Sequence, residues 1–173
     1  MHYTQTISSP LGNILLSADE VGLTGLWFDG GRYYADTLPE EHVERETPIL
    51  MDTKRWLDVY FTGREPDFTP LLHPTGSAFR MTIWRLLLQI PYGQTTTYGE
   101  LAKRLECGRM SAQAVGGAVG HNPISIIVPC HRVVGTNGSL TGYAGGLDCK
   151  IRLLEIEQTD MTGLFRPKKG TAI

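Results

Sequence analysis

Three prolines, Pro66, Pro70 and Pro74, stand within the fifteen-residue stretch TGREPDFTPLLHPTG at 62–76. Proline lacks the amide that a helix interior or a central strand needs, so no regular element runs through this segment. The chain must fold as two parts, residues 1–75 and 76–173, with a boundary near Thr75-Gly76. The parts differ in hydrophobic period. Ahead of the prolines, MHYTQTISS, ILLSA and LTGLWF are separated by the turns Pro10-Leu11-Gly12-Asn13 and Asp19-Glu20-Val21-Gly22, which predicts β-hairpins. Gly30-Gly31 ends that run, and Leu50, Trp56, Leu57, Tyr60 and Phe61 then fall at helical spacing. The proline segment itself reads as a linker with a strand remnant.

Beyond the prolines the pattern is helical. Phe79, Ile83, Leu86 and Leu87 share one face, and Pro91-Tyr92-Gly93 breaks that helix. Thr97-Tyr98-Gly99-Glu100 fits a capping box, with Glu100 reaching back, and opens a short helix that ends near Cys107-Gly108. Ser111 is placed to cap a third helix, AQAVGGAVG, whose Gly116 and Gly117 cost helix stability and point to a close neighbour. Two short helices around a glycine-containing turn match a helix-turn-helix, whose second helix enters a DNA groove. A run of strands followed by a run of helices makes this an α+β chain. The tail from residue 162 is expected to be mobile.

The composition, 41% hydrophobic and 20% charged, is that of a globular protein. Neither a membrane span nor a signal peptide is visible, so a cytoplasmic location is expected. The net charge of −2 hides an asymmetry. Residues 1–78 carry five basic against twelve acidic side chains, net −7, whereas residues 79–133 carry six against two, net +4. A polyanion would meet the middle of the chain.

The chemistry concentrates in IIVPCHRVVG at 126–135, where an apolar, strand-like run leads into Cys130, His131 and Arg132. Three cysteines without CxxC spacing argue against a disulfide framework and a cysteine zinc site. Cys130 then has four readings: a buried core thiol, a metal ligand with His121 and His131, a hydrolytic nucleophile, or an acceptor that keeps the group it takes. Zinc spacing does not fit, and a core rarely hosts His131 and Arg132. A neighbouring imidazolium or guanidinium lowers a thiol pKa, which favours a thiolate. Consecutive side chains on an extended segment point to opposite faces, so a water could carry the proton between Cys130 and His131. Glu157 is a candidate to orient His131, as a third group orients the base in catalytic triads. The glycine-rich stretch 138–146 lacks phosphate-loop spacing and reads as a mobile wall, with Tyr143 covering a ring face.

NPISIIVPCHRVVG followed by GYAGG resembles the O6-alkylguanine-DNA alkyltransferases, over roughly residues 79–157. The resemblance implies a small N-terminal β-rich, ribonuclease-H-like domain and a mostly helical, winged helix-turn-helix-like C-terminal domain. It implies single-turnover repair of double-stranded DNA by a monomer, with no metal or other cofactor. The lesion would be O6-alkylguanine, with O4-alkylthymine as a second candidate. Cys130 matches the alkyl acceptor, His131 the water-linked base, Glu157 the acid behind it, and Asn122 the brace of the preceding turn. Tyr98 matches the tyrosine that helps rotate the nucleotide, and Ala144 the residue whose amide faces O6. Tyr143, Val133 and Gly145 complete the substrate set. Ser111, Ala112, Gln113, Ala114, Gly116 and Gly117 are the candidate groove contacts, with Arg80, Arg104, Arg109 and Arg132 as cations for DNA. Gln113 stands where the family commonly has an arginine that fills the gap left by the extruded base. The rival readings are a cysteine hydrolase, which would turn over repeatedly, and a thiol-bearing DNA-binding regulator, which would prefer one DNA sequence.

Overall fold

The computed structural model describes residues 1–105 and 112–168. The predicted hairpins form: β1 (His2–Ser9), β2 (Gly12–Ala18) and β3 (Leu23–Phe28) make an antiparallel meander. A short β4 (His42–Glu44), not expected from the sequence, adds parallel to β1, so the order is β3-β2-β1-β4. Helix α1 (Pro48–Tyr60) lays Leu50, Thr53, Trp56, Leu57 and Tyr60 inward. It starts two residues ahead of the apolar spacing because Thr47 Oγ1 caps the Leu50 amide at 3.3 Å and Pro48 suits a first turn.

Every residue of β3 is buried. Its outer edge would otherwise offer unpaired amides and carbonyls, and two later segments cover it. The proline-rich stretch supplies one, through Leu23 N to Leu71 O and His73 N to Leu23 O, both 2.7 Å. The other comes from far along the chain, through Leu26 N to Pro123 O at 2.8 Å and Ser125 N to Leu26 O at 3.1 Å. The backbone just ahead of Cys130 is thus hung on the N-terminal sheet.

In the C-terminal half, α2 (Ala78–Leu87) and α4 (Ala112–Gly120) are pinned together by the Trp84 indole, which donates to Ala118 O at 2.9 Å. Thr97 caps α3 (Tyr98–Lys103) by accepting from the Glu100 amide at 3.1 Å. Only that half of the capping box forms, because the Glu100 carboxylate turns to Lys103 instead. The turn between α3 and α4, and the expected Ser111 cap, lie outside the described residues. Two-residue strands β5 (Thr96–Thr97) and β6 (Val133–Val134) pair in parallel, and α5 (Leu147–Ile156) closes the fold. The tail expected from residue 162 is docked over its first part: Phe165 exchanges backbone bonds with Gly138 and Leu140, and Arg166 pairs with Asp148.

Candidate functional site

The segment leading into Cys130 is not the extended strand expected. Ile126 adopts φ 70°, Pro129 follows at φ −84°, ψ 65°, and Cys130, His131 and Arg132 form one turn of 3-10 helix. A 3-10 turn fans successive side chains about 120° apart rather than alternating them, so the three point in three directions. Asn122, two residues beyond α4, holds the bend. Its Oδ1 accepts from Ile124 N at 2.9 Å, and its Nδ2 donates to Val128 O at 2.7 Å.

Glu157, at the C-cap of α5, is almost fully buried and has four partners. Oε2 takes His131 Nε2 at 2.5 Å and the Tyr60 hydroxyl at 2.6 Å. Oε1 takes Arg132 Nε at 2.8 Å and the Gly93 amide at 3.1 Å. Burial alone would push this carboxyl up, but the bonds from His131 and Arg132, the Arg132 charge and, once the ring protonates on the acid side, the His131 charge outweigh it, and its pKa falls to about 2. Burial lowers that of His131, so the ring is neutral at neutral pH. A neutral imidazole that donates Nε2–H to a carboxylate must carry its lone pair on Nδ1. That Nδ1 is buried and has no hydrogen-bond partner among the described residues. It is a base held in one tautomer with nothing yet to accept.

Arg132 is not available to DNA. Its side chain is 10% exposed, bonded to Glu157 and, through Nη1, to Ile90 O at 2.7 Å. The guanidinium that was expected to ionise the thiol is spent on Glu157. Cys130 is 6% exposed, and burial pushes its thiol up, with a hydrogen bond to Asn122 and the charge of Lys150 pulling the other way. At rest the site pairs a neutral thiol with a neutral imidazole, not a preformed thiolate.

Lys150 was not foreseen. It is fully buried, and Nζ donates to Val133 O at 2.6 Å, Thr141 O at 2.9 Å and Gly142 O at 3.3 Å. Burial lowers its pKa to about 8. Lys150, Leu153, Leu154 and Glu157 lie at i, i+3, i+4, i+7 of α5, so a helical reading of DCKIRLLEIE places the lysine on the inner face. Val133, a predicted substrate contact, has its side chain fully buried and its carbonyl occupied by this ammonium. The stretch 138–146 is likewise braced rather than mobile: Lys150 holds residues 141 and 142, and Gly146 N bonds Tyr143 O at 2.8 Å. Gly145 lies between the rings of Phe28 and Tyr143, where a Cβ would come within 2.9 Å of both. Tyr143 is buried, edge-on to His131 at 6.4 Å. The Tyr98 hydroxyl makes one long bond, 3.4 Å, to Thr141 O, and burial raises its pKa to about 12, so it remains a donor at neutral pH.

On α4, Ala112 and Gln113 are exposed, while Ala114, Gly116 and Gly117 are half-buried. A Cβ at Gly116 would meet the Tyr98 ring at an ordinary 3.8 Å and Gly117 faces open space, so the close neighbour expected from these glycines is not found within the described residues. Arg104 is exposed and Arg80 half-buried; Arg109 and Ser111 lie outside the described residues. His121 is separate from the thiol site, with its ring stacked on Tyr33. No group of three or more potential metal ligands gathers among the described residues, and none of their helices is long and apolar enough to cross a membrane.

The architecture and sequence are similar to those of known proteins. The family model described as 6-O-methylguanine DNA methyltransferase, ribonuclease-like domain, matches residues 1–73, and that family's DNA binding domain matches residues 78–159. A methylated-DNA–protein-cysteine methyltransferase of Methanosarcina acetivorans is 46% identical over 155 residues, covering 90% of this chain and 97% of that protein. One from Haemophilus influenzae is 40% identical, covering 91% and 87%. The crystal structure of Mycobacterium tuberculosis OGT in complex with DNA superimposes with a TM-score of 0.80 at 38% identity, over 94% of this chain and 99% of that one. With relatives this similar along nearly its whole length, the chain belongs to the 6-O-methylguanine DNA methyltransferase family.

Proposed function

We propose that this chain repairs double-stranded DNA by moving the alkyl group of O6-alkylguanine onto Cys130, once per molecule. The observation that carries the proposal is the set of Cys130, Asn122, His131 and Glu157, with the Nδ1 lone pair of a neutral His131 left unpartnered among the described residues beside the thiol's turn.

The alkyl carbon of the lesion lies inside stacked DNA, so the nucleotide must rotate out, at a cost of a few kcal/mol that a poorly pairing lesion reduces. Helix α4 lies in the minor groove, with Gln113 filling the vacated space and Arg80, Arg104 and Arg109 against phosphates. Once the base arrives, the Cys130 proton passes through one water to His131 Nδ1. Glu157, already ionised, stabilises the imidazolium. The thiolate attacks the alkyl carbon in line, the S–C bond forms, and the C–O6 bond breaks. The departing guanine gathers negative charge, which the Tyr98 hydroxyl and the Ala144 amide stabilise. The thioether has no carbonyl for water to attack, so the protein acts once, as a monomer and without a cofactor.

Mixing the protein with one equivalent of duplex carrying a single O6-methylguanine tests this by intact mass. The protein should gain one methyl in place of a hydrogen, the modified peptide should contain Cys130, and a second equivalent should remain unrepaired. No gain in mass, or continued turnover, overturns the proposal.

Gln113 gives a second expectation. Glutamine can hydrogen-bond an orphaned cytosine but carries no charge. Gln113→Arg should accelerate transfer from duplex DNA by about tenfold, the scale of one good polar contact, and leave transfer from free O6-benzylguanine unchanged. Equal acceleration on both substrates would mean that Gln113 does not fill the gap.

A further inference from the structure

We infer that Tyr33 is a positioning residue for alkyl transfer: from the N-terminal domain, it clamps the wall of the Cys130 site against the end of α4. The inference rests on the alkyl-transfer reading above.

The segment Gly31–Tyr33 leaves the end of β3 and meets two functional parts of the other domain. The Arg32 amide donates to Ala144 O at 2.7 Å, the carbonyl of the residue whose amide serves the leaving base. Gly31 permits this approach, since a Cβ there would come within 3.0 Å of the same oxygen. The Tyr33 ring stacks on His121, with centroids 4.0 Å apart and planes 28° from parallel. His121 in turn donates from Nδ1 to Gly117 O at 2.7 Å and so closes the last turn of α4. The Tyr33 ring thus meets the residue that closes α4, while the adjoining Arg32 amide holds the base-facing wall.

The backbone supports a clamp rather than an idle loop. Tyr33 and Ala35 adopt φ 60° and 54°, a left-handed conformation unfavourable for side chains other than glycine. Such strain persists where surrounding contacts determine the conformation. The neighbouring Phe28, at the end of β3, stands edge-on to Tyr143 at 6.3 Å, so one corner of the N-terminal sheet braces both Tyr143 and Ala144. The N-terminal domain already reaches the relay through the Tyr60 hydroxyl on Glu157, and Tyr33 gives it a second hold beside the site.

The test uses the full chain with Tyr33→Ala, Tyr33→Phe, His121→Ala and the Tyr33→Ala/His121→Ala double variant. Methyl transfer is timed on free O6-methylguanine and on duplex DNA, well below each variant's melting temperature. Tyr33→Ala should slow transfer from the free base about tenfold, the rate equivalent of one aromatic stack, and Tyr33→Phe should restore it to within about twofold. The double variant should be no slower than the slower single one, because both remove the same contact. A folded Tyr33→Ala that matches wild type overturns the inference, even if its melting temperature falls. If Tyr33→Ala does not fold, His121→Ala decides in the same way, from the other side of the stack. A wild type that takes no methyl group overturns the alkyl-transfer reading, and this inference with it; a reactive wild type with equally fast variants overturns the inference alone.

Discussion

Cys130→Ala is expected to fold, to bind duplex DNA, and to take no methyl group at all. Folding should survive because the change removes one sulfur from a turn whose shape is set by the Asn122 bonds and by the ring and guanidinium on Glu157. The cost is about 1 kcal/mol, ordinary for a single buried substitution. DNA binding should survive because the exposed residues of α4 and Arg104 are untouched. Transfer should vanish because the reaction stores its product on sulfur and nothing else in the site can hold it. Cys149 is the obvious substitute, but burial has pushed its thiol to about 12, leaving almost no thiolate at neutral pH. Mass spectrometry after an overnight reaction with methylated duplex reads the result. Any methyl uptake by the variant would move the acceptor to another thiol and remove Cys130 from the centre of the mechanism.

Part of this arrangement could be read without a structure, and the residues show why. The hairpins over 2–28 and the apolar faces of α1 and α2 follow from local periodicity and turn residues, which act over a few positions. Cys130 and His131 were accessible through a compact motif, Glu157 through its place on the last helix, and Asn122 through the family resemblance. Beyond the His131–Glu157 pair, what failed was set at long range. Tyr60 reaches Glu157 across 97 residues, and no local pattern marks it. Arg132 read as a cation for DNA because a sequence shows its charge and not its partner; Glu157 and Ile90 O consume it inside. The apolar run ahead of Cys130 read as a strand because Ile and Val favour one, yet Pro129 and the positive φ at Ile126 bend it into a turn. β4 escaped notice because three exposed residues carry no periodicity, and only the free edge of β1 selects them.

Glu157→Gln is expected to slow transfer by about a thousandfold, through the tautomer of His131 rather than its position. In the native site the Glu157 carboxylate can only accept, so Nε2 must donate and Nδ1 must hold the lone pair. A glutamine side chain can keep the Arg132 and Gly93 bonds on its oxygen, but then presents an amide donor to His131. The ring answers by placing its proton on Nδ1, the nitrogen needed as the base. Burial of Arg132 without a countercharge should also cost about 3 kcal/mol of stability, read as a lower melting temperature. The pH dependence separates charge from shape. The folded pKa of Glu157 is about 2 against an ordinary value of 4.5, so the unfolded chain binds the proton more readily. Its contribution to stability is complete above pH 4.5 and is lost as pH falls through 4.5 towards 2, a loss of about 3 kcal/mol. Glu157→Gln should lack that acid-side decline, leaving a flatter stability curve between pH 4.5 and 2. Should the variant react at the wild-type rate, or keep the full acid-side loss, Glu157 neither sets the imidazole tautomer nor carries the buried charge.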